Sequence, residues 1–201
     1  MKKEHRIIFL DLDQVLFDYR TFFKYHKSDC KYGRVKESCD LLKDALIKTN
    51  AIVVFITSWN EDKLNTALML GELRFLKRFL HKQPFVDAQY RCGDRQTGIL
   101  NWLQQEYGLS SVDIRTSAVN GLKTKTSEPI RFAVVDDSTG LYISSWCRTR
   151  LVPVINQRLG NFEAEMLCSI LTGENSDSIA QELKRRRDIY KSILAEYSTS
   201  L

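Results

Sequence analysis

Continuous apolar runs alternate along this chain with stretches in which apolar side chains recur every three or four positions. The runs are "RIIFLD" (6–11), "AIVVFITS" (51–58), "IRFAVVDD" (130–137) and the shorter "RLVPVI" (150–155). A strand with one wet face alternates apolar and polar residues, whereas one covered on both faces reads as unbroken Ile and Val. These runs therefore predict doubly covered strands, with 51–58 central, and "FVDAQYR" (85–91) predicts a weaker one. Between them, residues 37–50 place Cys39, Leu42 and Leu46 on one helical face and end at Asn50. Residues 59–82 open with Asn60, Glu61 and Asp62, a helix N-terminus, and stop before Pro84. Residues 98–108 predict a short amphipathic helix closed by Gly108. The polar stretch 110–129 reads as a loop or insertion. Strand and helix in alternation imply an α/β fold, a Rossmann-like parallel sheet with helices on both faces.

Composition narrows this picture without redirecting it. A chain of 201 residues with 43% hydrophobic and 27% charged content is a globular domain able to bury a core. No linker divides it, so 1–201 reads as one domain, with 174–201 a C-terminal amphipathic basic helix. There Ile179, Leu183, Tyr190, Ile193 and Tyr197 share a face and Lys184, Arg185 and Arg187 fall off it. The net charge of +5 suits an anionic ligand but is far from a nucleic-acid coat. Five cysteines with no CxxC pair predict reduced thiols and a cytoplasmic location. The apolar start is cut by Asp11, and no run approaches the roughly 18 apolar residues of a membrane span.

The chemistry lies at the strand ends. Asp11 and Asp13 close the first strand, Thr57 and Ser58 the second, and Asp136 and Asp137 that of "RFAVVDD". In one parallel sheet these ends share a rim, where ligands bind. Four carboxylates there repel one another unless a cation sits among them, and hard oxygen donors suit Mg²⁺.

This order of Asp-x-Asp, Thr/Ser, a basic residue and a late Asp-Asp resembles the haloacid dehalogenase-like (HAD) phosphohydrolases over about residues 6–172. The resemblance implies a Mg²⁺-dependent phosphomonoester hydrolase working through an aspartyl-phosphate. It makes Asp11 the nucleophile and Asp13 the general acid/base, whose main-chain carbonyl also reaches the metal. Thr57 becomes the phosphate-binding hydroxyl with Ser58 beside it, and Asp136 and Asp137 complete the metal set with Asp11. Gln14 stands where the family often has Gly. "FITSWN", "DRQTGILNWL" and the late Gly160 look like the small HAD domains of RNA-repair-type proteins, with Asn60 replacing their Arg. Trp59 is then either a stacking surface for a base or a buried helix-start anchor. The short span between the first two motifs implies a capless domain with an open cleft. It would admit a small phosphorylated molecule, a nucleotide or a nucleic-acid end. The alternative is a catalytically silent HAD-like domain that binds a phosphorylated partner or nucleic acid.

The phosphate-binding cation is read from strand direction. Arg95 begins a helix after the third strand, on the active rim. Lys123 and Lys125 precede the strand of "RFAVVDD" and so lie at its far end, about 20 Å away over six extended residues. They reach the site only if 110–129 folds back, and Arg91 remains a further candidate. Arg95 is the preferred residue, because its guanidinium grips phosphate bidentately. The aromatic, basic "FDYRTFFKYHK" (17–27) is a candidate cleft lining.

Overall fold

The computed structural model describes residues 4–17, 36–59, 61–62, 64–65, 73–117, 121–138, 142, 144–154, 158–174, 181 and 185. The segment 17–27 beyond Phe17, and the C-terminal helix apart from Gln181 and Arg185, lie outside the described residues. Five strands, β1 (His5–Leu10), β2 (Ile52–Phe55), β3 (Leu80–Phe85), β4 (Ile130–Asp136) and β5 (Leu151–Pro153), form one sheet in the order β3-β2-β1-β4-β5. Every pairing is parallel. The fold is α/β and Rossmann-like, as the alternation of runs and periodic stretches implies.

Unbroken apolar runs are needed because each strand feeds two cores. Successive side chains point to opposite faces. On one face Ile8, Leu10, Val53, Phe55, Ala133 and Val135 meet α1 (Lys36–Thr49) and α5 (Asn161–Thr172) through Leu42, Leu46, Met166 and Leu167. On the other, Ile7, Phe9, Val54, Phe132 and Val134 meet α3 (Arg95–Tyr107) through Ile99, Trp102 and Leu103. Burying one such side chain contributes about 1.5–3 kcal/mol, so a polar residue at any of these strand positions would be strongly destabilising. The helix ends match the expected signals: Asn50 follows α1 at φ 51° and Gly108 closes α3 at φ 63°, both left-handed. Among the described residues no helix is long and apolar enough to cross a membrane, and Cys39, Cys92, Cys147 and Cys168 are free thiols.

Two expectations are corrected. The helical reading of 59–82 holds for Glu61, Asp62, Leu64 and Asn65, but Arg74–Phe79 is a 3₁₀ turn and Leu80 starts β3. The strand assigned to 85–91 therefore lies earlier, and Ala88–Arg91 is instead a short helix, α2. The cause is position. β3 is an edge strand whose register with β2 slips between Val53↔Leu80 and Phe55↔Phe85. An edge strand tolerates Pro84 and the exposed Lys82 and Gln83, so it lacks the apolar run that marks the inner strands. The 110–129 stretch is also more ordered than a loop. It contains α4 (Ser111–Thr116), capped by the Ser110 hydroxyl, which accepts from the Asp113 N–H at 3.0 Å, and a bridge from Lys123 to Pro129.

The strand order locates the cleft. From β1 the chain moves outward through β2 to β3, then crosses back to β4 on the other side of β1. The order reverses between β1 and β4, and the crevice beyond their carboxyl ends is where such sheets bind ligands.

Candidate active site

Asp11 and Asp136 lie at this reversal. Asp11 follows β1, its N–H donating to the Val135 carbonyl at 2.9 Å, and Asp136 is the last residue of β4. Leu12 separates the two carboxylates of the first motif because it is itself an anchor. It is fully buried, and its carbonyl accepts from the N–H groups of Val15, Leu16 and Phe17 at 3.0–3.2 Å. This tight turn keeps Asp11 buried and leaves Asp13 half-exposed. Gln14 sits in the turn at φ 56°, a left-handed conformation that suits glycine.

Arg95 reaches both buried acids. Its Nη1 lies 3.1 Å from Asp11 Oδ2 and also donates to Asp136 Oδ2. It opens α3 after the Asp94 cap, which accepts from the Thr97 N–H at 3.1 Å, and its Nε donates to the Arg91 carbonyl at 2.9 Å. That last bond requires α2 and α3 to pack closely. Gly98 allows it, since a Cβ there would lie 2.8 Å from the Cβ of Tyr90. Tyr142, absent from the sequence reading, donates its hydroxyl to Asp136 Oδ2 at 2.5 Å. The Ser138 N–H donates to Asp136 Oδ1 at 2.7 Å and the Ser138 hydroxyl to Asp137 at 3.3 Å.

The electrostatics are those of crowded, buried acids. Burial and then the Asp136 charge push Asp11 up to about 7, against the pull of Arg95. The same two causes raise Asp137. Burial works against the charge on Arg95, but Asp11 and Asp136 outweigh it and hold the guanidinium above its ordinary value. Burial, then Asp136, raises Tyr142, so its phenol keeps its proton and donates.

A divalent cation fits this arrangement. Carboxylate oxygens of Asp11, Asp136 and Asp137 lie within 4.8 Å of one another. Ligands around an octahedral Mg²⁺ at about 2.1 Å stand roughly 3–4 Å apart, so small side-chain adjustments suffice. The second observation is independent: among the described residues Asp11 Oδ1 is buried with no hydrogen-bond partner. Such an orphan acceptor costs about 1–3 kcal/mol, and a cation would relieve it. Among the described residues, three carboxylates here face the Arg95 guanidinium.

The remaining candidates divide. Thr57 is fully buried at the end of β2, its hydroxyl accepting weakly from the Trp59 N–H at 3.4 Å, and Ser58 beside it is exposed. Trp59 is 4% exposed, which excludes it as an open stacking surface for a base and makes it the buried anchor. Its indole N–H donates to Asp13 Oδ1 at 2.9 Å. Arg91 is committed elsewhere, to the Trp59 carbonyl at 3.1 Å and to Glu61 at 3.3 Å. Lys123 is exposed beside Pro129, next to the start of β4, and Lys125 packs on Gly108 at the far end of α3. Both stand away from the acids, as strand direction requires.

A cavity of about 480 Å³ opens at the opposite end of the sheet, lined by His5, Arg6, Ile52, His81 and Glu106 among others. Around it Arg6 pairs with Glu4, Lys82 with Glu106 and His5 with Glu128. It holds none of the strand-end acids. Comparison of the chain with protein-family models, curated proteins and solved structures finds no match.

Proposed function

We propose that this chain is a HAD-like, Mg²⁺-dependent phosphomonoester hydrolase acting through an aspartyl-phosphate at Asp11. The observation that carries the reading is the acid trio at the sheet's reversal point, Asp11 and Asp136 buried and Asp137 half-buried, with Asp11 Oδ1 unpartnered among the described residues and Arg95 between Asp11 and Asp136. Asp11, Asp136 and Asp137, with the Asp13 carbonyl, would hold the ion, and when bound it neutralises phosphoryl charge so that a carboxylate can approach phosphorus.

The chain's own groups supply the rest. The Asp11 carboxylate attacks phosphorus as the ester P–O bond breaks, and the departing oxygen takes its electron pair and a proton from Asp13. Asp13, now a base, deprotonates the water that attacks the phosphoaspartyl phosphorus, which frees Asp11 and inorganic phosphate. Arg95 Nη1 offsets the repulsion between the two acids. None of the described residues accepts from its Nη2, which is left for phosphoryl oxygens. Thr57 offers its hydroxyl proton to the same group. The chain between Phe17 and Lys36 is shorter than the roughly 40 residues that an independent core needs, which supports a capless cleft open to small phosphate esters and to nucleotide or nucleic-acid ends.

The test is a phosphoester panel with Mg²⁺, containing p-nitrophenyl phosphate, nucleotides and oligonucleotides phosphorylated at the 3′ or 5′ end. Hydrolysis should disappear with chelator, return with Mg²⁺ and be abolished by Asp11→Asn with the fold intact. Turnover by Asp11→Asn within tenfold of the natural chain rules out the covalent route. Binding without turnover of any ester would instead favour a silent phosphate-binding domain.

A further inference from the structure

We infer that Trp59 is a positioning residue for the general acid, and that its indole assigns the transferable proton to one oxygen of Asp13. This rests on the phosphohydrolase reading above. The Trp59 Nε1–H donates to Asp13 Oδ1 at 2.9 Å. Indole nitrogen is a donor only. An oxygen that accepts from it cannot also present a proton to the substrate along that direction, so the proton resides on Oδ2. The carboxyl torsion of an aspartate is broad and nearly two-fold. Left alone, Asp13 would spend much of its time with the wrong oxygen toward the leaving group, and one fixed donor removes that degeneracy.

The donor is itself held at its ring and at its main chain. Its ring packs on Phe17, centroids 4.9 Å apart at 43°, and Trp59 is 4% exposed. Its carbonyl accepts from Arg91 Nη1 at 3.1 Å. Arg91 is 5% exposed, with Nη2 on Glu61 at 3.3 Å and its guanidinium 5.5 Å above the Phe85 ring. Arg91 also lends its carbonyl to Arg95 Nε at 2.9 Å. A buried arginine thus ties the residue behind the acid to the residue beside the nucleophile. The aromatic residue after Thr57 and Ser58 is used for orientation, with its ring turned away from solvent.

A purely structural tryptophan and a positioning one differ in their leaving-group dependence. Trp59→Phe keeps a ring against Phe17 and deletes the N–H, and replacement of Trp59 by its benzothienylalanine isostere deletes the N–H at nearly constant volume. Each variant is assayed with Mg²⁺ on phenyl phosphate, whose leaving oxygen needs a proton, and on p-nitrophenyl phosphate, whose leaving oxygen barely does. The two esters share a shape. We expect kcat/KM, which reports expulsion of the leaving group and not the later phosphoaspartate hydrolysis common to both esters, to fall about tenfold or more on phenyl phosphate, a fraction of the roughly 10²–10⁴ that a general acid supplies. On p-nitrophenyl phosphate kcat/KM should fall less than about threefold. In an Asp13→Asn background neither replacement should add to the loss, because the partner oxygen's role is already gone. Equal losses of kcat/KM on both esters, or additive losses over Asp13→Asn, overturn the inference while leaving the phosphatase reading in place. If the natural chain hydrolyses neither these two esters nor any member of the phosphoester panel, the reading and this inference both fall.

Discussion

Arg95→Ala is the most informative single change, because the guanidinium serves both the fold and the proposed chemistry. Arg95 is 6% exposed, and its Nη1 bridges Asp11 and Asp136, which are 2% and 0% exposed. Removing one partner of a buried ion pair leaves an uncompensated buried charge and typically costs about 3–5 kcal/mol. Two carboxylates are stranded here, so we expect the upper part of that range in chelator. For a domain of about this size each kcal/mol shifts Tm by roughly 2–4 °C, which puts the fall at about 10–20 °C. Part of it should return with millimolar Mg²⁺, which takes over as counter-ion, and part with Asp136→Asn in the same chain. Urea denaturation with and without chelator measures both. In the phosphoester assay kcat/KM should drop about 10²-fold, the usual consequence of losing one preorganised charged donor. Lys123→Ala and Lys125→Ala remove the same formal charge from the far end of the sheet. Each should change stability by less than about 0.5 kcal/mol and activity by less than about threefold. An Arg95→Ala protein within about 1 kcal/mol of the natural chain in chelator would refute the buried triad. A lysine variant with the larger loss of activity would refute the assignment of the phosphate-binding cation.

Without metal, stability should fall as pH rises from about 4 to 7. Asp11 is pushed up to about 7 by burial and by Asp136, so between the unfolded carboxyl value and that point the folded chain binds more protons than the unfolded one. The slope of unfolding free energy with pH is then negative, and urea midpoints in chelator should decline over this window. Added Mg²⁺ should flatten the decline, and a rising or level midpoint in chelator would contradict it. Gln14→Gly should stabilise the chain, since Gln14 holds φ 56° at about 1–2 kcal/mol for a side-chain-bearing residue, partly offset by glycine's greater unfolded-state entropy. A Tm gain of about 2–3 °C is expected, and an unchanged or lower Tm would refute the strain argument.

The inner strands were legible in the sequence because a strand covered on both faces cannot afford polar positions, and Ile7 to Leu10 feed two cores at once. So were α1 and α3, whose periodic faces and left-handed ends at Asn50 and Gly108 follow from local sterics. The gathering of the strand-end acids, and the placement of Arg95 beside them with Lys123 and Lys125 away, needed only strand direction, since parallel strands gather their carboxyl ends on one rim. β3 escaped because an edge strand needs no continuous apolar run, and its polar residues imitate a helix end. Tyr142 escaped because its bond to Asp136 depends on how the chain returns after β4, which no spacing specifies. Trp59 could be read as a base platform or an anchor, and only packing against Phe17 and the bond to Asp13 decide between them. Local pattern determines which residues reach the rim. Which oxygen faces which donor, and which acceptor is left without one, is decided by contacts between residues 40 or more positions apart, as Trp59 to Asp13 and Arg95 to Asp136 are. Those contacts exist only once the sheet has assembled.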